Sequence, residues 1–400
     1  MRSRDRSMLN QNFFDSLDSS VLDVTEAQML PPACYVSDEF YEFEKQAIFD
    51  HEWLCIGRET WARNPGDYFT SSPINEPIVA VRGHDGMLRA FSNVCQHRAM
   101  LVAEGHGNAR ALLCQYHHWS YGLDGRLIGA PAMEKTTGFD KKCIGLPELK
   151  TEVWLGFVFI NFDNNAAPLT PRLKDITAAL KNYELESAEG AFPADPVKLP
   201  WNWKIMMENN NDGYHANKLH AGPLHDIVPS HMSVFPDLPD DTAGYFRFNG
   251  TKHKDAGFNP TNRALLPIFP KLSEEERNRF VFGNLPPTLS LVCMHDMVTY
   301  MILHSTSTNE VVMTRGQLFP PGTIRQALFQ ERLAVGAESI KTIVAQDLHV
   351  DALVPIGLRS RYAARGRYSW QEKAQRELNN WLVQRYKRAW NLMNSNESAA

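Results

Sequence analysis

Two short runs of the chain, Cys95-Gln96-His97 and Cys114-Gln115-Tyr116-His117, each offer one thiolate followed closely by one imidazole. Four such donors could hold a tetrahedral zinc ion. The order of the donors points elsewhere. Zinc fingers usually pair Cys with Cys and His with His along the chain. Two loops that each bring a Cys and a His suit a [2Fe-2S] cluster with two cysteines on one iron and two histidines on the other. Exchanging two thiolates for neutral imidazoles removes negative charge and raises the reduction potential, so such a cluster accepts electrons from an all-cysteine ferredoxin. His106 and His118 lie nearby; His118 directly follows His117 and points elsewhere if His117 faces iron.

A second set of donors stands between Glu208 and His220. His215 and His220 are five residues apart, which on a regular helix separates them by about 140°. A helix carrying both must therefore end or distort between them. Two histidines and one carboxylate on one face of an iron leave positions open for O2. Asp347 is the candidate carboxylate, and Asp351, four residues further on, is the alternative. Asp212, three residues before His215, is placed to fix the tautomer of an imidazole.

The elements that must position these groups change character along the chain. Phe40, Phe43, Ala47 and Ile48 recur at helical spacing and predict a helix within 38–53. From 54 to 162 the sequence reads as short strands, with 77–82 and 87–91 flanking the turn His84-Asp85-Gly86, and 153–161 as a further strand. Prolines mark 165–200 as a connector around a helix at 173–182. Beyond it come a helical region at 203–219, turn-rich sequence, strands at 288–293, 298–304 and 311–318, and helices at 324–345 and 369–393. The charge run 273–279 reads as a solvated helix face. The stretch to about Asp23 and the tail 394–400 read as frayed ends.

Composition narrows the function classes. A formal charge of -5 gives no basic excess for nucleic acid, and no apolar run is long enough to span a bilayer. The first residues show no apolar leader segment, so a cytoplasmic protein is expected. Six cysteines are too few for a disulfide scaffold, and Cys34, Cys55, Cys143 and Cys293 are expected as buried small hydrophobes.

The paired Cys/His motif, its continuation Trp119-Ser120-Tyr121-Gly122-Leu123-Asp124-Gly125, and the segment 208–220 resemble the α subunits of Rieske non-haem iron ring-hydroxylating oxygenases, over roughly residues 35–360. The segment Gly357-Leu358-Arg359-Ser360 resembles the one that trails the carboxylate ligand in that family. Three positions depart from the family's usual pattern: Ala99 and His118 stand where Gly is frequent, and Pro355 where Gln is frequent. The resemblance implies an α+β chain. Its parts are a helical lead-in over 1–45 packing on the catalytic domain, a Rieske β-sandwich domain over 46–165, and a helix-grip-like catalytic domain with a curved antiparallel sheet over 166–400. It implies that Cys95, His97, Cys114 and His117 hold the cluster, and that His215, His220 and Asp347 hold a mononuclear Fe(II) that activates O2. Asp212 would link His215 to His117 of the partner subunit as an electron relay. Expected partners are a ferredoxin or an NAD(P)H-dependent reductase and further copies in a trimer, with or without a β subunit. An apolar stripe of Leu291, Met294, Met297, Val298 and Met301 could line a pocket, and no aromatic cage is legible. An aromatic or other apolar substrate is therefore favoured, with oxidative N- or O-dealkylation as the alternative.

Overall fold

Alternating apolar residues and tight turns build the first unit. The computed structural model describes residues 7–222 and 224–397, and the chain divides into a unit Asp50–Pro168 and a second unit formed by the segments on either side. In the first, a seven-stranded antiparallel sheet runs in the order Leu54–Arg58, Phe157–Asn161, Glu148–Trp154, Leu88–Ser92, Ile78–Arg82, Asp67–Ser71, His106–Asn108. A three-stranded sheet (Leu112–Leu113, Ser120–Tyr121, Leu127–Gly129) accompanies it. The stretch 153–161, expected as one strand, is a hairpin: Leu155 and Gly156 both take positive φ (47° and 76°), the geometry of a two-residue turn matched to strand twist. Leu155 hides that turn in the sequence. Arg58 fixes it by donating to the Leu155 carbonyl at 2.7 Å while lying over the Phe157 ring.

The second unit is organised by another seven-stranded antiparallel sheet, ordered Val197–Leu199, Glu310–Leu318, Val298–Ser307, Leu289–Cys293, Arg279–Leu285, Tyr245–Gly250, Ser233–Val234. The charge run does not form a helix of any length. Glu276–Asn278 is a single 3-10 turn, and Arg279 already opens a strand whose residues from Phe280 on are buried. The helical region at 203–219 is shorter than expected, a helix Trp203–Asn211 followed by a separate turn His215–Asn217. The helix expected at 324–345 instead spans Phe329–Leu358, because Pro355 falls in its last turn and removes only one backbone bond near the end. No helix of the described residues is long and apolar enough to cross a membrane.

The N-terminal stretch to Asp23 is ordered where it is described. Asn10 caps the helix Gln11–Ser16, and Phe14, 1% exposed, stacks on Trp390 at 4.4 Å. Buried aromatic area, absent from a typical frayed end, explains the anchoring. Met1–Arg6 and the last three residues of the tail lie outside the described residues; 394–397 continue the helix Lys373–Glu397. Cys143 is exposed rather than buried.

One buried ion pair ties the lead-in to the helix that precedes the histidines. Ser37 caps the helix Asp38–Glu44. Glu44 then meets Lys204 Nζ at 2.7 and 2.9 Å, accepts from Trp203 Nε1 at 2.9 Å and from the Tyr386 hydroxyl, and both charged side chains are fully buried. Lys204→Met leaves the Glu44 charge uncompensated, and a loss of roughly 3–5 kcal/mol is expected. The urea midpoint should fall accordingly and recover in large part in the Glu44→Gln/Lys204→Met double variant; equal midpoints for wild type and Lys204→Met would refute this.

Candidate metal centres

The two Cys/His loops share one backbone scheme. Cys95 N–H donates to the Met100 carbonyl (2.9 Å) and Ala99 N–H to the Cys95 carbonyl (3.0 Å). Likewise Cys114 N–H donates to Trp119 (2.9 Å) and His118 N–H to Cys114 (3.0 Å). The fifth residue of each turn is left-handed, Ala99 at φ 59° and His118 at φ 56°. These are the two positions where the resembling family frequently has glycine, and the fold supplies the reason: a Cβ is disfavoured there. Ala99→Gly and His118→Gly are each expected to stabilise the unit by about 0.5–1 kcal/mol after the extra freedom of the unfolded glycine is counted. The check is the urea midpoint for loss of the visible chromophore, which should rise in both.

The donors are sorted by side. Cys95 and Cys114 are 2% and 3% exposed, packed in a core with Trp119, Tyr121 and Leu123, and their thiols interact with each other. Burial pushes the Cys114 thiol above its ordinary pKa. The Tyr121 hydroxyl lies 3.3 Å from Cys95 Sγ and accepts from Gln96 N–H at 2.9 Å. His97 and His117 are exposed, with ring centroids 4.6 Å apart. His97 stacks on Trp119 and His117 on Tyr116. Two thiols paired inside and two imidazoles paired outside fit a cluster of two irons better than one tetrahedral zinc.

The second constellation closes to within one coordination sphere. His215, His220 and Asp347 each offer a ligand atom, and these atoms lie within 4.8 Å of one another; among the described residues this is the group of three or more such side chains that does so. Asp347 Oδ1 is 2.9 Å from His220 Nε2 and 3.6 Å from His215 Nε2. Both Nδ1 atoms are engaged on the far side: His215 by Asp212 Oδ2 at 2.9 Å and His220 by Gln346 Oε1 at 2.9 Å. Those acceptors hold the Nδ1–H tautomer and leave each Nε2 lone pair for an ion. The donor set, two neutral imidazoles and a carboxylate, fits Fe(II) with open positions. Burial depresses the His220 imidazole, but its bonds to Asp347 and Gln346 outweigh this and hold its pKa above the ordinary value.

Local sequence explains how the histidines reach this point. Asn202 caps the helix Trp203–Asn211 at its start. At its end the buried Arg247 donates to the Asn211 carbonyl at 3.2 Å, taking up a group the helix leaves unpaired. Asp212 follows in extended conformation, receives Tyr214 N–H, and turns the chain toward His215. Thus the helix ends before both histidines, not between them. Asp351 stays out of the group. It sits one turn beyond Asp347, 3% exposed, with Oδ1 bound to Asn209 Nδ2 at 3.1 Å and Oδ2 buried without a partner. Burial, then the Asp347 charge, pushes its carboxyl up to about 8. Gln346 and Asn209 were not singled out as site residues from sequence; Gln346 is recognisable only as the neighbour of Asp347.

A small, partly open pocket lies in the same unit. Met294 and Met297 line it, as the apolar stripe suggested, whereas Leu291, Val298 and Met301 are buried core and are not among its walls. The long helix contributes Leu333, Gly336 and Ile340. Asp347 follows Ile340 by seven residues, two turns along the same helix face and about 10 Å on.

Residues 52–149 match the Rieske [2Fe-2S] domain, and residues 181–388 match the ring-hydroxylating α subunit (catalytic domain). The chain is 36% identical over 198 residues to the carnitine monooxygenase oxygenase subunit of Acinetobacter pittii (strain PHEA-2), covering 49% of this chain and 53% of that protein. It is 32% identical over 223 residues to the benzene 1,2-dioxygenase subunit alpha of Pseudomonas putida, covering 54% and 47%. The matched stretches thus span about half the length of these curated relatives. A solved quaternary ammonium Rieske monooxygenase superposes with a TM-score of 0.77 at 25% identity, covering 95% of this chain and 98% of that one. The two domain matches between them include all the donors described above, and the chain belongs to the Rieske oxygenase α-subunit family, whose cofactors are a [2Fe-2S] cluster and a mononuclear non-haem iron.

Proposed function

We propose that the chain is the terminal oxygenase of a multicomponent system, with Cys95, Cys114, His97 and His117 as cluster ligands and His215, His220 and Asp347 as ligands of the catalytic iron. The observation that carries this reading is the convergence of two imidazole Nε2 atoms and one carboxylate, with both Nδ1 atoms engaged by acceptors. When bound, the two groups supply single-electron storage and the activation of O2. The residues do the rest. Asp212 and Gln346 hold protons on the two Nδ1 atoms, and the apolar wall of Met294, Met297 and Leu333 holds substrate away from water. A ferredoxin or NAD(P)H-dependent reductase feeds electrons to the exposed His97 and His117 side. Copies of the chain form a homotrimer, with or without a β subunit, in which Asp212 faces His117 of the partner subunit. The solved relative is itself described in terms of inter-subunit electron transfer.

The substrate is a small molecule, hydroxylated as an aromatic or other apolar compound in the first reading. The likeness to a carnitine monooxygenase favours a second, oxidative N-dealkylation. Iron and acid-labile sulfide analysis with the EPR spectrum of the dithionite-reduced protein tests the shared core of both. A Rieske-type signal plus additional mononuclear iron is expected; zinc without sulfide would overturn it. Release of an amine and a carbonyl product, as against a dihydrodiol, separates the two readings.

A further inference from the structure

A carboxylate stands at the unfavourable end of a helix. Asp212 directly follows Asn211, the last residue of the helix Trp203–Asn211, and its backbone N–H still donates to the Asn209 carbonyl at 3.2 Å. The negative end of the helix dipole and its unpaired carbonyls lie there, so an anionic side chain at this position is disfavoured. Two further carboxyls crowd the same place. Glu208 precedes Asp212 by one turn, and Glu372 stands at the entry to the C-terminal helix Lys373–Glu397. Burial first, with the Asp212 charge adding to it, pushes each of them up to about 7.

The counter-charge comes from the sheet. Arg247 lies in the strand Tyr245–Gly250, only 4% exposed, with its guanidinium 4.0 Å from the centre of the Phe282 ring. Its Nε–H donates to the Asn211 carbonyl at 3.2 Å, and Nη1 donates to Asn249 Oδ1 at 2.6 Å and to Ser233 Oγ at 3.5 Å. All three acceptors are neutral, and no carboxylate forms an ion pair with Arg247 among the described residues. Burial pulls the guanidinium down to about 10, which leaves it charged, and the charged group that acts against this is Asp212. A buried cation calls for an opposite charge nearby, and Asp212 is that charge. The turn beside them is closely packed: a Cβ on Gly213 would come within 3.0 Å of Ser233 Oγ, 3.3 Å of the Gln371 carbonyl oxygen and 3.8 Å of Arg247 Cζ. Beyond His215, Asn217 Nδ2 donates to Gln371 Oε1 at 2.7 Å. The short segment that carries His215 is thus held between the sheet and the residues that lead into the C-terminal helix.

We propose that Arg247 is a positioning residue for the link between the two metal centres: it takes up the end of the helix and supplies the counter-charge that keeps the Asp212 carboxylate on His215 Nδ1. The assignment rests on the reading of Asp212 as the relay. It goes further in tracing that relay to a buried guanidinium that bonds to none of the proposed ligands. With position 247 neutral, the Asp212 carboxylate faces the helix end, Glu208 and Glu372 without compensation, and its 19% exposure gives it a way out toward solvent.

The test is a double-mutant cycle on the holoenzyme, with Arg247→Gln, Asp212→Asn and the two combined, and Arg247→Lys as the variant that keeps the charge. Gln retains a donor for the Asn211 carbonyl. Each preparation is read by its urea midpoint and by the rate at which O2 reoxidises the dithionite-reduced chromophore. Arg247→Gln is expected to lower the midpoint and to slow reoxidation by about tenfold at unchanged iron and sulfide content. Arg247→Lys, which loses only the fork, should reoxidise within about threefold of wild type. Adding Asp212→Asn to Arg247→Gln removes the uncompensated charge, so it should restore at least about half of the lost midpoint. The combined variant should reoxidise within about twofold of Asp212→Asn alone, because Arg247 acts through Asp212. If Arg247→Gln does not accumulate in folded form, the combined variant should, and failure of both overturns the proposal. Additive midpoints, a combined variant slower than Asp212→Asn, or Arg247→Lys as slow as Arg247→Gln also overturn it, since a residue that only packs the turn gives those results. Slow reoxidation in Asp212→Asn beside a wild-type rate in Arg247→Gln removes Arg247 and leaves the relay. A wild-type rate in Asp212→Asn sinks the relay and Arg247's part in it, while the midpoints still report whether the two charges are paired.

Discussion

Asp347→Ala is expected to abolish the mononuclear iron while leaving the cluster chromophore at full strength. The carboxylate is the shared partner of both Nε2 atoms, at 2.9 and 3.6 Å, and the sole anionic donor of the group. Without it two neutral imidazoles face an ion that prefers a mixed nitrogen and oxygen set. Loss of a partner one bond removed from a metal typically costs 10–100-fold, so loss of the proposed ligand itself should exceed about 100-fold in Fe(II) affinity. The decisive comparison is Asp351→Ala. That residue is four positions on along the same helix face and bonds to the same Asn209, yet it contributes no atom to the group. Its removal is expected to cost less than about tenfold, through the lost support of Asn209. Iron per chain, with the EPR signal of nitric oxide added anaerobically to the reduced protein, reads both variants. Iron retained in Asp347→Ala and lost in Asp351→Ala would transfer the third ligand to Asp351.

What could be read from the chain depended on how locally each feature is encoded. The proposed cluster donors lie in two turns of six residues with the same hydrogen-bond scheme, so their spacing alone draws attention to them. The departures at Ala99 and His118 were visible, but their meaning, a left-handed backbone at both, needed the fold. The histidines were local too, and five residues do not share one helix face; the break falls earlier than that spacing implies, because Arg247, a strand residue 36 positions on, takes the carbonyl that ends the helix at Asn211. Asp347 was harder. Its helix is legible in the sequence only to Ala345, whereas it runs to Leu358 and brings Gln346 and Asp347 to His220 on successive residues. Tyr245–Gly250 alternates Tyr245, Arg247 and Asn249 with Phe246 and Phe248, a strand pattern hidden by the polar side chains. The cavity was the least legible feature. Its walls come from segments near 257, 265, 296, 317 and 336, and only the stripe at Met294 and Met297 left a local trace.

Asp212→Ala is expected to uncouple the two centres without emptying either. Asp212 is not placed as a ligand; it holds His215 Nδ1 at 2.9 Å with one oxygen and accepts Tyr214 N–H at 2.6 Å with the other. Its side chain is 19% exposed, and the adjoining Tyr214 is exposed at the surface. A carboxylate held on one side by His215, the proposed iron ligand, and partly open to solvent on the other is suited to meet an imidazole of a second subunit, which is the relay proposed above. Iron and sulfide contents should match wild type. Reoxidation of the dithionite-reduced chromophore by O2, followed in the visible spectrum, should slow by about 10- to 100-fold, the range typical of such partners. Asp212→Asn separates two roles. Its amide oxygen can still accept either Tyr214 N–H or the Nδ1–H of His215, so a structural role would be largely rescued. A relay that depends on the negative charge would not. Slow reoxidation in both variants, with the nitric oxide signal unchanged, is the expected result. Wild-type reoxidation in Asp212→Asn would reduce Asp212 to a residue that shapes the turn, and wild-type reoxidation in both would place the electron path elsewhere.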